Sequence, residues 1–456
     1  MITPNLERPT MFGTLLVANR GEIARRVIRT ARELGIKTVA VHSDVDSELP
    51  FVQEADIAVL LGAAAPAESY RNTERILQAA KDTGAEAIHP GYGFLSENAA
   101  FARAVQNAGL IWVGPPPEVI ETMGDKINAR NLMQDAGVPV APGTREPVAD
   151  PDKAVAAADA IGYPVMIKAA AGGGGMGMSV ANNSAEAGEQ FQRITAFAER
   201  TFGDGSILLE RYLPVARHVE VQILGLADGR VVALGERDCS VQRRNQKVAE
   251  ETPSPGVTPE LRKRMLDAAV RAGEAVGYRN AGTVECLVDE AAQDFVFLEM
   301  NTRLQVEHPI TEAVTGIDLV EQQLRIAAGL EVTFDPDNIP CIGHALEFRV
   351  NAEDPKRFLP GPGAITSWEE PAGQGVRVDS GYGHGTTVTP SYDSLIAKLI
   401  VHGSDRSQAL DRARAAIAGF TIAGPKNNLP LFAELLDTEE FISGDYDTGI
   451  VGRMRA

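Results

Sequence analysis

Leu15-Leu16-Val17-Ala18-Asn19-Arg20-Gly21-Glu22 opens the stretch that decides the fold. Leu15–Ala18 is an apolar strand candidate, and a helical pattern follows it through Leu34. Gly35 is placed to end that helix, and Thr38–Val41 reads as the next strand. Strand, helix and strand within about 30 residues make a βαβ unit, so a parallel sheet is expected. The pattern recurs in Ile57–Leu61, a helix near Thr73–Thr83, and Ala87-Ile88 before a glycine-rich turn. A helix over Asn98–Ala108 leads to Ile111-Trp112-Val113, and the prolines Pro115–Pro117 punctuate the end of this first unit.

Beyond it, the segment from Pro139 to about Tyr212 is small and glycine-rich, the size of a lid. Hydrophobic strands follow at Val219–Leu224, Val231–Gly235, Gly282–Leu287 and Phe295–Leu298, with helices near Glu260–Val276 and Asp318–Leu330. The chain ends in another mixture of both, with Ala409–Phe420 an amphipathic helix. The fold class is α/β, and α+β in part. No internal repeat or low-complexity tail is present.

The 456 residues suggest roughly two to four domains. A hydrophobic content of 44% with mixed charges belongs to a globular chain. With 43 basic against 62 acidic residues the net charge is −19, a field that repels phosphate backbones and anionic lipid. Neither nucleic acid nor membrane is therefore an expected partner. Cys239, Cys286 and Cys341 have no C-x-x-C spacing, which argues against a zinc site or a disulfide framework. No apolar run approaches the roughly 20 residues of a transmembrane helix, and the N-terminus has no basic-then-apolar signal design. The cytoplasm is the expected location.

Three stretches carry chemistry. In Ile167-Lys168-Ala169-Ala170-Ala171-Gly172-Gly173-Gly174-Gly175-Met176-Gly177, consecutive glycines let successive N–H groups point at one anion, and the lysine adds a point charge. No Gly-Lys-Ser/Thr follows, so this is not a Walker loop. A flexible linker is the alternative; the absence of serine and the apolar Val165–Lys168 stand against it.

The second stretch is Glu299-Met300-Asn301-Thr302-Arg303-Leu304-Gln305-Val306-Glu307. If Phe295–Glu307 is extended, Glu299, Asn301, Arg303, Gln305 and Glu307 share one face. A solvated face would also be polar, but it favours β-branched residues over such a row of carboxylates, amides and arginine. Glu285 ends another strand, and two strand-end carboxylates suit Mg²⁺ with phosphate oxygens. Arg303 suits a bidentate grip on a planar anion, with Glu307 as a general base beside it.

The third stretch, Glu236 through Lys247, is a basic loop in an acidic chain: either an anion pocket or a solvated charge run. Cys239 within it reads as a packed thiol rather than a nucleophile. His89-Pro90-Gly91-Tyr92-Gly93-Phe94 is a turn at a strand end, where open α/β sheets place ligands, and Tyr92 either lines that crevice or caps it. Arg349 alternates with Phe348 and Val350, on the polar face of a strand; a surface arginine is the alternative.

Together these motifs resemble the biotin carboxylases, a branch of the ATP-grasp ligases. The matching stretches are Ala18–Ala24, His89–Glu97, Met123–Lys126, the Lys168 glycine loop, Arg237–Val248, Glu299–His308 and Asn351–Pro355. They keep the family's order over almost the whole chain. The resemblance implies an ATP-grasp fold with an N-terminal Rossmann-like (pre-ATP-grasp) domain over 1–125 and a glycine-rich lid with its linker over 126–212. The catalytic part would then span 213–340 and a C-terminal biotin carboxylase domain 341–456.

It also implies roles. ATP falls to Lys126, Lys168, Gly173, Gly174, Gly175, Gly177, Met178, Gln242 and Asn245, with Glu210 near the adenine and His218 near the ribose. Mg²⁺ (or Mn²⁺) falls to Glu285, Glu299 and Asn301. Bicarbonate falls to Lys247, Arg303, Gln305 and Val306, with Glu307 as its base. Attack of bicarbonate on the γ-phosphate gives carboxyphosphate, which yields CO₂ at a biotin ring held by Tyr92 and Arg349. The released phosphate deprotonates the ring's N1′, and Arg349 stabilises the enolate. Catalysis thus rests on Glu307, Arg349, Arg303 and Lys247, and the lid keeps carboxyphosphate from water.

Two positions depart from the family. Asn245 stands where many members carry histidine, as in some acyl-CoA and urea carboxylases. Met176 stands where arginine is common in the glycine loop, which leaves one phosphate contact unaccounted for. Nothing matches the Ala-Met-Lys-Met of biotinylated carriers. The expected partners are therefore a separate biotin carboxyl carrier protein and a carboxyltransferase subunit; otherwise the chain is a fragment of a longer one. The family implies a homodimer. An acetyl-CoA or other acyl-CoA carboxylase is the expected system, with pyruvate and urea carboxylases as alternatives. A non-biotin acyl-phosphate ligase would not need Arg349 or the loop 236–248. A non-catalytic nucleotide-binding protein would not need the full metal and bicarbonate set.

Overall fold

The computed structural model describes residues 10–170 and 176–455. Its first unit is a parallel sheet of β1 (Thr14–Val17), β2 (Lys37–Ser43), β3 (Ile57–Gly62), β4 (Ala87–His89) and β5 (Ile111–Trp112), ordered β3-β2-β1-β4-β5. Leu15, Leu16 and Val17 are all buried, as a strand covered on both faces requires. The helix Gly21–Glu33 packs Ile23, Ala24, Val27, Ile28 and Ala31 inward. Gly35, at φ 75°, turns the chain out of it. The expected helices form at Thr73–Thr83 and Ala99–Asn107, each capped by an asparagine side chain, Asn72 and Asn98.

The strand order reverses between β1 and β4, so the residues after each meet at a crevice beyond the carboxyl ends of these central strands. Asn19 Nδ2 donates to the carbonyls of Pro90 and Tyr92, both at 2.7 Å, and ties the two loops together. Gly91 is required there: a Cβ on it would lie 2.8 Å from Asn19 Nδ2.

The small central unit is an antiparallel sheet of β6 (Val165–Ala169), β7 (Met178–Ala181) and β8 (Ile207–Arg211), ordered β7-β6-β8. Helices Pro151–Ile161 and Ser184–Phe202 cover one face around Val165, Ile167, Phe191, Ile194, Ile207 and Leu209. It has its own core, a separate cluster of buried residues.

The largest sheet is antiparallel and carries the chemistry. Its strands are β9 (Arg217–Gly225), β10 (Val231–Arg243), β11 (Gln246–Thr252), β12 (Asn280–Asp289), β13 (Asp294–Asn301) and β14 (His344–Asn351), then β17 (Val376–Ser380) and β19 (Leu395–Gly403). Between and after these lie two short pairs, β15 (Gly363–Ala364) with β18 (Thr387–Val388) and β16 (Ser367–Glu369) with β20 (Thr421–Ala423). The large sheet runs β13-β12-β9-β10-β11-β14-β19-β17. The β11–β14 pairing, with Glu250 opposite Glu347, joins strands from both sides of residue 340. Among the described residues, no helix is long and apolar enough to cross a membrane.

Two expectations are corrected. Phe295–Glu307 is not one extended strand. β13 bulges at Leu298, between the pairs Glu285–Glu299 and Cys286–Phe297, and it ends at Asn301. A turn follows, and Glu307 immediately precedes the helix His308–Thr315, whose first turn holds Pro309. Proline suits that helix start and not a ladder. The stretch Glu236–Lys247 is not a loop either. It is a β10–β11 hairpin whose tip is Arg244-Asn245, both in the left-handed region at φ 50° and 64°.

Candidate active site

The site grows from polar side chains that alternate with apolar ones on the central strands. In β9, His218, Glu220 and Gln222 share one face while Val219, Val221 and Ile223 pack on the other, and all six are buried. That His-x-Glu-x-Gln alternation is readable in the sequence and points to Glu220, which the motifs did not single out. Glu250, Arg237 and Glu97 were likewise missed as site residues.

Lys247 is the centre. Its ammonium donates to Glu220 Oε2 at 2.5 Å, Glu285 Oε1 at 2.8 Å and Glu307 Oε1 at 2.8 Å. Burial pulls this lysine down, but the three carboxylates outweigh it and hold its pKa well above the usual value. Arg237 Nε donates to the other oxygen of Glu220 at 2.6 Å. Arg349 reaches Glu307 Oε2 with Nη2 at 2.9 Å and Glu250 Oε1 with Nε at 2.6 Å. It is therefore no surface arginine. Burial raises the Glu307 carboxyl, yet Lys247, Arg349 and Arg237 hold it well below the usual carboxylate range. Glu250 goes the other way: burial and the charge of Glu307 outweigh Arg349 and push it up to about 7. The Cys239 thiol is buried 3.8 Å from Glu307, and burial pushes it up, as expected of a packed thiol.

The turn after β13 brings its polar residues together without a shared strand face. Arg303 Nη1 donates to Gln305 Oε1 at 2.7 Å, and its Nη2 to Asn301 Oδ1 at 3.3 Å. Its Nε donates to Glu97 Oε2 at 2.9 Å, a link from the first unit. Gln305 Nε2 reaches Glu285 Oε1 at 3.1 Å. Val306 offers its carbonyl to Lys398 Nζ at 2.8 Å.

Glu285 and Glu299 stand opposite each other across β12–β13, and Asn301 Nδ2 donates to Glu285 Oε1 at 2.9 Å. Two carboxylates and an amide oxygen are the donor class of a hard divalent cation, so these residues fit Mg²⁺ or Mn²⁺. The tighter groups His218–Glu220–Glu285 and Glu220–Cys239–Glu307 fit it less well, because each puts an imidazole or a buried thiol where a hard cation prefers an oxygen donor.

The residues expected to hold the nucleotide form a second cluster. Lys168 Nζ donates to Glu210 Oε1 at 2.5 Å across β6 and β8, and Met178 pairs with Lys168 across β6 and β7. Burial lowers Lys126, which feels the charges of Glu299, Lys168 and Glu210. The Gly177 carbonyl accepts from Ala169 N at 2.9 Å. Gly173, Gly174 and Gly175 lie outside the described residues. His218 lies between Gln242 and the candidate metal residue Glu285, with its Nε2 3.0 Å from Glu285 Oε2 and its Nδ1 2.7 Å from Gln242 Nε2. Asn245 does not join them; it is exposed at the hairpin tip. Tyr92 is half-buried, its hydroxyl bonded to Glu22 Oε1, and it feels the Arg349 charge.

Known proteins share this arrangement of sequence and fold. Residues 11–120 match the biotin carboxylase N-terminal domain and 347–453 the biotin carboxylase C-terminal domain. Residues 125–334 match the ATP-binding domain of the carbamoyl-phosphate synthase L chain. A pyruvate carboxylase subunit of Methanothermobacter thermautotrophicus is 50% identical over 446 residues, 98% of this chain and 90% of that one. Biotin carboxylase 2 of Bacillus subtilis is 50% identical over 438 residues, 96% of this chain and 98% of that one. The biotin carboxylase domain dimer of Hydrogenobacter thermophilus 2-oxoglutarate carboxylase, solved with MgADP, ADP and bicarbonate, superposes with a TM-score of 0.93. It is 45% identical and covers 97% of this chain and 98% of that one.

Proposed function

Because this chain belongs to the biotin carboxylase family, we propose that it carboxylates biotin on a separate carrier protein, as the first half-reaction of an acetyl-CoA or other acyl-CoA carboxylase. It is an ATP-dependent ligase, ADP-forming and making a C–N bond. The observation that carries the reading is the Glu307 carboxylate set between Lys247 and Arg349, at 2.8 and 2.9 Å.

In this reading Lys126 and Lys168 hold the phosphates of ATP. Mg²⁺ or Mn²⁺ on Glu285, Glu299 and Asn301 would neutralise charge on those phosphates. Bicarbonate displaces the internal partners of Arg303 and Lys247. Glu307, ionised at rest, takes the bicarbonate proton as its oxygen attacks the γ-phosphorus and ADP leaves. Carboxyphosphate breaks down to CO₂ and phosphate, and the phosphate takes the N1′ proton of biotin. Arg349 holds the enolate oxygen that develops, and N1′ attacks CO₂. Tyr92 flanks the ring.

Carrier and carboxyltransferase are separate proteins in this proposal, and the chain works in the cytoplasm as a homodimer; the solved 2-oxoglutarate carboxylase domain described as a dimer supports the pairing. A pyruvate carboxylase system is the second reading, supported by a relative of equal identity that carries that name. The test is bicarbonate-dependent ADP release with and without free biotin. Stimulation by biotin is expected, and a rate indifferent to it refutes the assignment. Pull-down of the endogenous carrier and transferase then decides the acceptor.

A further inference from the structure

β19 is an apolar strand, with Ile396, Ala397, Leu399 and Ile400 all buried, yet it holds a lysine among them. Lys398 is 0% exposed, and a buried ammonium is costly unless partners hold it. Its partners come from a distant turn and from the start of the helix Gly21–Glu33. Nζ donates to the carbonyl of Val306 at 2.8 Å and stands 3.2 Å from Glu22 Oε2. Glu22 uses its other oxygen, Oε1, to accept the hydroxyl of Tyr92. Asn19 clamps the same Tyr92 turn through two carbonyls. Lys398 also lies beside Arg349 on the neighbouring strand, as its register partner.

The Val306 carbonyl belongs to the peptide that leads into Glu307, so a bond to it orients that peptide and the base it carries. One ammonium thus restrains Glu307 on one side and, through Glu22, Tyr92 on the other. We propose that Lys398 is a positioning residue that couples the bicarbonate half of the site, at Val306–Glu307, to the biotin half, at Tyr92. The inference rests on the roles proposed above for those two turns.

The test is steady-state ADP release by the full chain at saturating MgATP, with bicarbonate and free biotin each varied. Lys398→Met keeps the stem and removes the charged donor. Loss of one hydrogen bond from a charged group corresponds to about tenfold, so the KM for bicarbonate and the KM for biotin should each rise by about that factor. The KM for ATP should change by less than about twofold, because the nucleotide cluster does not touch Lys398. Lys398→Arg, which restores a charged donor, should recover part of both losses. Glu22→Gln, nearly isosteric, should raise the biotin KM more than the bicarbonate KM. The double variant Lys398→Met/Glu22→Gln should be no worse toward biotin than Lys398→Met alone. Should Lys398→Met fail to fold, the unequal effect of Glu22→Gln carries the test. A folded Lys398→Met enzyme with either KM unchanged, or a Glu22→Gln enzyme with equal changes in both, overturns the coupling. A parent enzyme whose ADP release ignores biotin overturns the functional reading first, and this one with it.

Discussion

Lys247 Nζ and Glu307 Oε1 lie 2.8 Å apart across sixty residues of chain, one on β11 and the other at the start of a helix. The second oxygen of Glu307 is held by Arg349, so the proposed base is ionised before substrate arrives. Its low pKa makes it a weak base at rest. An anion that engages Lys247 draws its charge away from Glu307, and the carboxylate becomes more basic as bicarbonate enters. The geometry thus ties basicity to occupancy.

Glu307→Gln keeps the shape and removes the base. Bicarbonate-dependent ADP release should fall about 10²–10⁴-fold in kcat, the usual contribution of general base catalysis, with little change in the KM for ATP. An unchanged kcat assigns the proton transfer elsewhere.

Arg349→Gln should reduce biotin-stimulated turnover about 10²–10³-fold, as for loss of one oxyanion donor, and biotin-independent ADP release by less. It also removes a cation that holds Glu307 down. The Glu307 pKa should rise, so activity should be lost at a higher pH on the acid side than in the parent enzyme. An acid limb that stays in place shows that Arg349 does not depress Glu307.

Lys168→Met takes away the ammonium bonded to Glu210 beside the glycine loop. The KM for ATP should rise about tenfold or more, as for a charge-assisted phosphate contact, while that for bicarbonate stays near the parent value. Isothermal titration with ADP separates this from a general loss of folding.

Glu251 offers a stability test away from the chemistry. Its Oε2 meets His344 Nε2 at 2.6 Å and Arg406 Nε at 2.7 Å, and Tyr446 bonds Oε1 at 2.5 Å. Burial raises this carboxyl, but His344 and Arg406 bring it down to about 2. The folded value lies below the unfolded one of about 4.3, so the stabilisation is present above that value and is lost as pH falls toward about 2. Glu251→Gln should cost on the order of 3 kcal/mol at pH 7 and less at pH 3, read from urea midpoints. An equal loss at both pH values contradicts the ion-pair account.

Several elements were legible from local pattern alone. The βαβ start, the helix at Thr73–Thr83 and the lid-sized insert follow from apolar period and from glycine, proline and asparagine at element ends. Where tertiary packing intervened, the reading failed. The polar row Glu299–Glu307 gathers around one site, but a bulge, a turn and a helix start bring it together, not one strand face. The basic stretch 236–247 is a paired hairpin, and its Arg237 is buried against Glu220.

By itself, then, the sequence determined the alternation of strands and helices, the glycine-loop lysine and the resemblance that places Glu307, Arg349 and the proposed metal residues Glu285, Glu299 and Asn301 in one site. These depend on neighbours in the chain, or on motif order. Only the tertiary structure decided which charges meet. Arg349 finds Glu250 ninety-nine residues away and Glu307 forty-two away, and Lys398 reaches Val306 across ninety-two. Sheet register sets the first encounter and the turn after β13 sets the other two, and no local period encodes either across so many residues. The opposite shifts of Glu307 and Glu250 follow from the same packing, because each carboxyl takes its pKa from what the fold buries beside it.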